Sequence, residues 1–142
     1  MSKEKTVMVE FMIDKFPGKK QEWMGILTWG HYGTGFRIIL WHKKLYAQIF
    51  GSNQKVQLIS MKPLEAGKKY QAIVNIDKNE ISLYLNGFEQ AKESLSIRNK
   101  IPITDPLAVG ASYKGKLWKC FDGKIYRFAI WNKCVDLKTA EK

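Results

Sequence analysis

The chain has 142 residues, 45% hydrophobic and 13% aromatic, and its 24 Lys and Arg against 13 Asp and Glu give a formal net charge of +11. That length suits one domain, residues 1–142, with one core that needs no disulfide or metal staple. No window reaches the roughly 18 consecutive apolar residues of a membrane span, and the positive excess favours polyanions such as acidic glycans, nucleic acid or an acidic protein.

Period-two alternation runs through the sequence, and helical periodicity is hard to find. Residues 6–13 read as a first strand, ended by Pro17-Gly18. In 22–29, Trp23, Gly25, Leu27 and Trp29 alternate with Met24, Ile26 and Thr28, which predicts that Trp23 and Trp29 share a face. Gly30 to Gly35 holds three glycines and reads as a loop. Strands follow at 36–41 and 44–50, joined at His42-Lys43; in the second, Leu45, Ala47 and Ile49 oppose Tyr46, Gln48 and Phe50. Further strands are predicted at 55–60, 69–76, 81–85, 88–97, 107–112 and 123–132, with a short helical tail over 135–142. Asn86-Gly87 is a strong hairpin signal because both residues tolerate positive φ. In 123–132 the apolar residues switch parity between Ile125 and Phe128, which predicts a bulge or burial on both faces. Ten or eleven strands with turn signals every 8–12 residues argue an antiparallel two-sheet sandwich or a barrel. A small up-and-down barrel holding a lipid is the competing fold.

The two cysteines, Cys120 and Cys134, flank the last strand. A straight strand over 123–131 spans about 30 Å at roughly 3.3 Å per residue, and a disulfide needs Cα atoms within about 7 Å. Two free thiols are therefore expected. The first residues, Met1 to Thr6, lack the apolar core of a secretory signal. A module cut from a larger secreted protein would be extracellular and a complete chain cytoplasmic; the sequence leaves the location open.

The order of elements resembles the laminin-G-like jelly roll of the concanavalin A-like lectin and glucanase group. The resemblance rests on Val7-Met8-Val9-Glu10-Phe11, Trp23 to Trp29 followed by Gly35-Phe36-Arg37-Ile38, and Lys69 to Val74 before Leu83-Tyr84-Leu85-Asn86-Gly87. Val109-Gly110, Phe121-Asp122-Gly123-Lys124-Ile125 and Ile130-Trp131-Asn132 complete it. It implies an all-β, antiparallel two-sheet jelly-roll β-sandwich. It names no single function, because that fold hosts lectins, carbohydrate-binding modules, adhesion domains and glycanases. Two departures stand out. The cysteines are wrongly placed for the disulfide that extracellular members often carry. The acids are too scattered for the calcium rim found in many members, with Asp77, Asp105 and Asp122 the only loop candidates. No cofactor is expected, and calcium is the one ion the resemblance would allow.

Catalytic constellations are missing. Glycoside hydrolysis needs two carboxyls facing one cleft, whereas Glu89 and Glu93, and Glu10 and Asp14, read as solvated surface acids. His31 and His42 fall in separate loops, with no nucleophile elbow and no His adjacent to a cysteine. The chain is therefore read as no enzyme. Aromatic residues beside polar ones are the better lead, since sugars present apolar C–H faces for stacking and hydroxyls for hydrogen bonds. Trp29, His31 and Tyr32 offer that mixture in one loop, Trp41-His42 in the next, and Tyr113, Lys116, Trp118 and Lys119 in a third. In the resembling fold the loop before the last strand often helps form the ligand rim, which puts Tyr113, Lys116 and Trp118 first. Trp23 and Trp131 read as packing residues.

The leading expectation is a non-catalytic carbohydrate-binding, lectin-like module for acidic glycans, with Trp29, His31, Tyr32, Tyr113, Lys116, Trp118 and Lys119 as ligand contacts. The alternatives are a protein-binding adhesion or structural domain of a cell-surface or viral assembly, and charge-driven nucleic-acid binding by stacking and phosphate contacts.

Overall fold

The computed structural model describes residues 5–19, 22–30, 35–51, 54–77, 79–94, 107–113 and 117–131. Twelve strands lie among them: β1 (Lys5–Ile13), β2 (Trp23–Trp29), β3 (Gly35–Trp41), β4 (Lys44–Gly51), β5 (Gln54–Ile59), β6 (Lys69–Ile76), β7 (Glu80–Leu85), β8 (Phe88–Ser94), β9 (Leu107–Val109), β10 (Ser112–Tyr113), β11 (Leu117–Trp118) and β12 (Gly123–Trp131). They form two five-stranded sheets, β12-β1-β6-β7-β8 and β5-β4-β3-β2-β9, and a small β10-β11 ladder. All pairings are antiparallel. The architecture is the jelly-roll sandwich, and two separate sheets replace the single closed barrel weighed against it.

The extra strands relative to the sequence reading come from one region. Residues 107–112, expected as one strand, break at Gly110, whose φ of 82° is left-handed. Its N–H donates instead to the Ile26 carbonyl at 2.7 Å. Residues 117–118, expected within a loop, pair with Ser112 and Tyr113 as β11. The 95–97 end of the expected 88–97 strand, the 135–142 tail and Cys134 lie outside the described residues. Cys120 lies exposed at the surface.

Each sheet sends one parity of side chains inward. Val7, Val9, Phe11 and Ile13 of β1 meet Leu27, Phe36, Ile38, Ala47 and Leu58 of the opposite sheet in one buried core. The Phe11 ring stacks on Tyr70 at 5.7 Å and meets Phe121 edge-on at 6.0 Å. The buried Tyr70 keeps a polar handle, because its hydroxyl accepts the Glu65 N–H at 2.8 Å.

Two bulges decide which residues face where. On β12, Glu10 pairs with Arg127 but Phe11 with Ile125, so Tyr126 is the extra residue and the apolar parity switches there. On β2 the register shifts between Gly25 and Leu27. Ile26 and Leu27 therefore both enter the core, and the expected common face of Trp23 and Trp29 is corrected. Trp29 points inward opposite Phe36, while Trp23 stands on the outer face opposite Trp41. Glycine is required where β3 begins: Gly35 has φ 79°, and a Cβ there would lie 2.2 Å from the Trp29 carbonyl oxygen.

Candidate functional site

The outer face of the β5-β4-β3-β2-β9 sheet carries a polar row. Cross-strand register aligns Gln57, Gln48, Arg37, Thr28 and Ala108, one residue from each strand. Arg37 Nε donates to Gln48 Oε1 at 2.5 Å, and Gln48 Nε2 donates to Gln57 Oε1 at 2.6 Å. Thr28 Oγ1 donates to the Ala111 carbonyl at 3.1 Å. Gln48 is fully buried, so its amide is held by hydrogen bonds that no water replaces, which fixes the rotamers along the row. Aromatic rings flank it. The Arg37 guanidinium carbon lies 4.7 Å from the Trp23 ring centroid and 4.9 Å from that of Phe50. Guanidinium stacks well on such faces and is only weakly hydrated. Trp23, Ile39 and Tyr46, with Trp41 and Ile59 against them, form a small apolar cluster beside the row. Arg37, Trp41, Phe50 and Gln57 remain half-buried and reach the surface.

Of the sequence-predicted contacts, Lys119 joins this face. Its carbonyl accepts the Gly25 N–H at 2.8 Å and its ammonium sits 5.4 Å from the Trp23 ring centroid. Lys119 has φ 53°, a left-handed turn that lays the segment before β12 across β2. Tyr113 and Trp118 lie in β10 and β11, pairing with Leu117 and Ser112, next to the Ala111 carbonyl that Thr28 holds. His31, Tyr32 and Lys116 lie outside the described residues; His31 and Tyr32 fall between β2 and β3. Trp29 does not share the face. Its side chain is 9% exposed and packed in the core, with the Lys5 ammonium 5.5 Å from its ring centroid.

Sequence reasoning missed Arg37, Gln48 and Trp23. Alternation already put Tyr46, Gln48 and Phe50 on one side of β4, and the same rule applied to 36–41 aligns Arg37 with Trp41.

The outer face of the other sheet is organised around an ion pair. Arg127 Nε and Nη2 each lie 2.8 Å from a Glu10 carboxylate oxygen, and Gln71 Nε2 donates to Glu10 Oε1 at 3.3 Å. The Arg127 hydrogen bond, with smaller help from Gln71 and Lys69, holds the Glu10 carboxyl below its ordinary value despite the opposing effect of burial. Glu80 and Glu89 both contact Lys92, at 3.4 and 3.7 Å. Asp77, one of the calcium candidates, accepts the N–H groups of Asn79 and Glu80 at 2.7 Å each, which closes its own turn. No group of three or more His, Cys, Asp or Glu close enough to hold a metal occurs among the described residues, and Asp105 lies outside them. No helix among them is long and apolar enough to cross a membrane.

The chain belongs to the concanavalin A-like lectin/glucanases superfamily, whose family model matches residues 2–139. No curated protein matches it by sequence. Solved structures of the same fold include the Ruminococcus gnavus IT-sialidase CBM40 bound to α2,3-sialyllactose (TM-score 0.79, 16% identity, 97% of this chain and 80% of that one). The NanB sialidase from Streptococcus pneumoniae also matches (TM-score 0.79, 17% identity, 99% of this chain but 24% of that one). So does the leech intramolecular trans-sialidase (TM-score 0.76, 15% identity, 97% of this chain and 22% of that one). At such identities the likeness concerns the fold.

Proposed function

We propose that this protein is a non-catalytic carbohydrate-binding module that recognises acidic glycans through the outer face of the β5-β4-β3-β2-β9 sheet. The observation that carries the reading is Arg37, held by the buried Gln48 amide and flanked by Trp23 and Phe50. A guanidinium fixed in that way, with Nε bonded to Gln48 and Nη1 buried, holds positive charge at a half-open surface where a sugar carboxylate could meet it, beside aromatic surface suited to the sugar's C–H face. Lys119 adds a second cation at the edge of the same surface. The likeness to a CBM40 bound to sialyllactose, whose terminal sugar carries a carboxylate, supports the same ligand class.

His31, Tyr32, Tyr113, Lys116 and Trp118 are proposed as rim contacts around this centre, since the segments that carry them flank β2. Trp29 is left out of the contact set. The carboxylates Glu10, Glu80 and Glu89 act as structural partners of Arg127 and Lys92 rather than as an acid and nucleophile.

Calorimetric titration with 3′-sialyllactose and with lactose tests the reading. Binding of the first only, weakened at least about tenfold in Arg37→Met, is the expected result. Equal binding of both sugars, or full affinity in Arg37→Met, would overturn it. Affinity for single-stranded nucleic acid that falls steeply with salt, without any for glycans, would replace it with the charge-driven alternative.

A further inference from the structure

We propose that the cleft between the β1–β2 and β3–β4 connections is a second sugar subsite, continuous with the Arg37 face, so that the module grips an oligosaccharide rather than one terminal sugar. This rests on the carbohydrate reading above. The cleft has a volume of about 560 Å³, with rings supplied by Phe16, Trp41 and His42 and polar groups by Lys19, Glu22 and Lys43. That volume falls within the range of small-ligand pockets. The Trp41 and His42 rings stack at 4.9 Å with 20° between their planes, so the two rings brace each other at the mouth of the cleft and leave one outer ring face to it. The Lys43 ammonium stands 5.5 Å from the Phe16 ring centroid. Aromatic rings edged by a carboxylate and two ammonium groups suit a pyranose, which offers C–H faces to a ring and hydroxyls to the charged groups.

Trp41 connects the cleft to the proposed anion site. It packs on Tyr46 at 5.6 Å within the cluster that contains Trp23, and it stands on the same side of β3 as Arg37. Trp41 stands four residue steps along β3 from Arg37, about 13 Å at roughly 3.3 Å per residue, which is more than one pyranose spans. An acidic sugar at Arg37 therefore leaves the next residues of its chain free to run along β3 into the cleft.

The β3–β4 turn adds an independent observation. His42 and Lys43 both adopt left-handed φ, 52° and 62°. The same chain makes its β7–β8 turn with Asn86-Gly87, at φ 51° and 85°, where the strain is lower. Backbone strain borne by non-glycine residues concentrates at functional sites, and here it delivers a ring and an ammonium to the cleft.

Titration calorimetry with free sialic acid, 3′-sialyllactose and a sialylated pentasaccharide tests the proposal on the whole chain, its His42→Asn variant and its Phe16→Ala variant. Asn tolerates the His42 conformation, so that variant keeps the turn and removes the ring. The original chain is expected to gain about tenfold in affinity from the monosaccharide to the pentasaccharide, as one added stacking contact would give. Both variants are expected to lose most of that gain while holding sialic acid as before. Affinity that does not rise with length, or a rise that survives both substitutions, would overturn the subsite while leaving the Arg37 reading intact. No binding of any of the three sugars would remove both.

Discussion

The two outer faces of the sandwich use arginine differently. On the β12-β1-β6-β7-β8 sheet, Arg127 closes a two-point pair with Glu10 across adjacent strands. On the β5-β4-β3-β2-β9 sheet, Arg37 is set between two rings and tied to a neutral amide. The first arrangement spends a cation on register, matching a carboxylate to the row in which β1 meets the β12 bulge. The second holds a cation in a fixed orientation at a half-open surface. The same residue type on two faces of one fold thus separates a face held by an ion pair from the face proposed for recognition.

The largest effect that separates the sheets is expected at their entry glycines. Gly35→Ala must place a Cβ 2.2 Å from the Trp29 carbonyl oxygen at a left-handed φ of 79°. Gly123→Ala meets the Met12 carbonyl oxygen at 2.1 Å, without a left-handed φ. Both variants should be severely destabilised in urea melts. Gly35→Ala should be the worse by about 1–2 kcal/mol, the cost of the left-handed conformation alone. Equal loss in the two would mean that sterics decide both sites.

Next in size is the exchange of the two arginines. Arg37→Met is expected to weaken sialyllactose binding by between about tenfold and a hundredfold, as loss of hydrogen bonds to a charged group would. Arg37→Lys should rescue little, because an ammonium lacks the planar fork and the ring stacking. Arg127→Met should bind sialyllactose as before and lose stability instead. That loss depends on pH. The folded-state pKa of Glu10 is lowered, so its stabilising contribution is present above the unfolded carboxylate value of about 4.3 and disappears as pH falls through the folded value. Urea midpoints of the original chain and Arg127→Met should differ at pH 7 and converge as pH falls below the folded-state value of Glu10. A constant gap across that range would show that Arg127 acts through packing and not through the Glu10 carboxylate.

Much of this contrast could be seen in the sequence and some could not. Alternation marked the strands, Asn86-Gly87 marked its hairpin, and the parity switch between Ile125 and Phe128 announced the bulge at Tyr126. Each of those signals is local. The bulge on β2 left no comparable mark, because Ile26 and Leu27 are apolar on either register and burial on both faces hides the shift. Plain alternation therefore puts Trp23 and Trp29 on one face, whereas they occupy two. The site was hidden for a second reason. Arg37, Gln48 and Gln57 become one row only through cross-strand register, and Lys119 reaches Trp23 only because the segment before β12 folds over β2. Pairings between residues so far apart in the chain leave no spacing to read.

A smaller effect is expected at the β7–β8 turn, which lies on the sheet opposite the proposed recognition face. Asn86 has φ 51° and its Oδ1 accepts the Gln71 N–H at 2.8 Å. Asn86→Ala should cost about 1–2 kcal/mol in urea melts and leave sialyllactose affinity unchanged. A loss of affinity there would tie this turn to the glycan surface and weaken the division between the two faces.

The smallest effect separates two kinds of ion pair on the structural face itself. Lys92 meets Glu80 and Glu89 at 3.4 and 3.7 Å with all three side chains about half exposed. Glu10 keeps only 13% of its side chain exposed, beneath a two-point contact with Arg127. Water and salt screen the first set on both partners and the second mainly from the Arg127 side, which is 45% exposed. The Lys92 pKa is raised, chiefly by its Glu80 hydrogen bond, so it stays protonated through neutral pH and contributes no pH dependence there. Lys92→Met should leave the urea midpoint unchanged at low and high salt, whereas Arg127→Met should lower it in both. A salt-dependent drop in Lys92→Met equal to that of Arg127→Met would show that the number of ion pairs, and not the shielding of Glu10, sets the stability of this sheet.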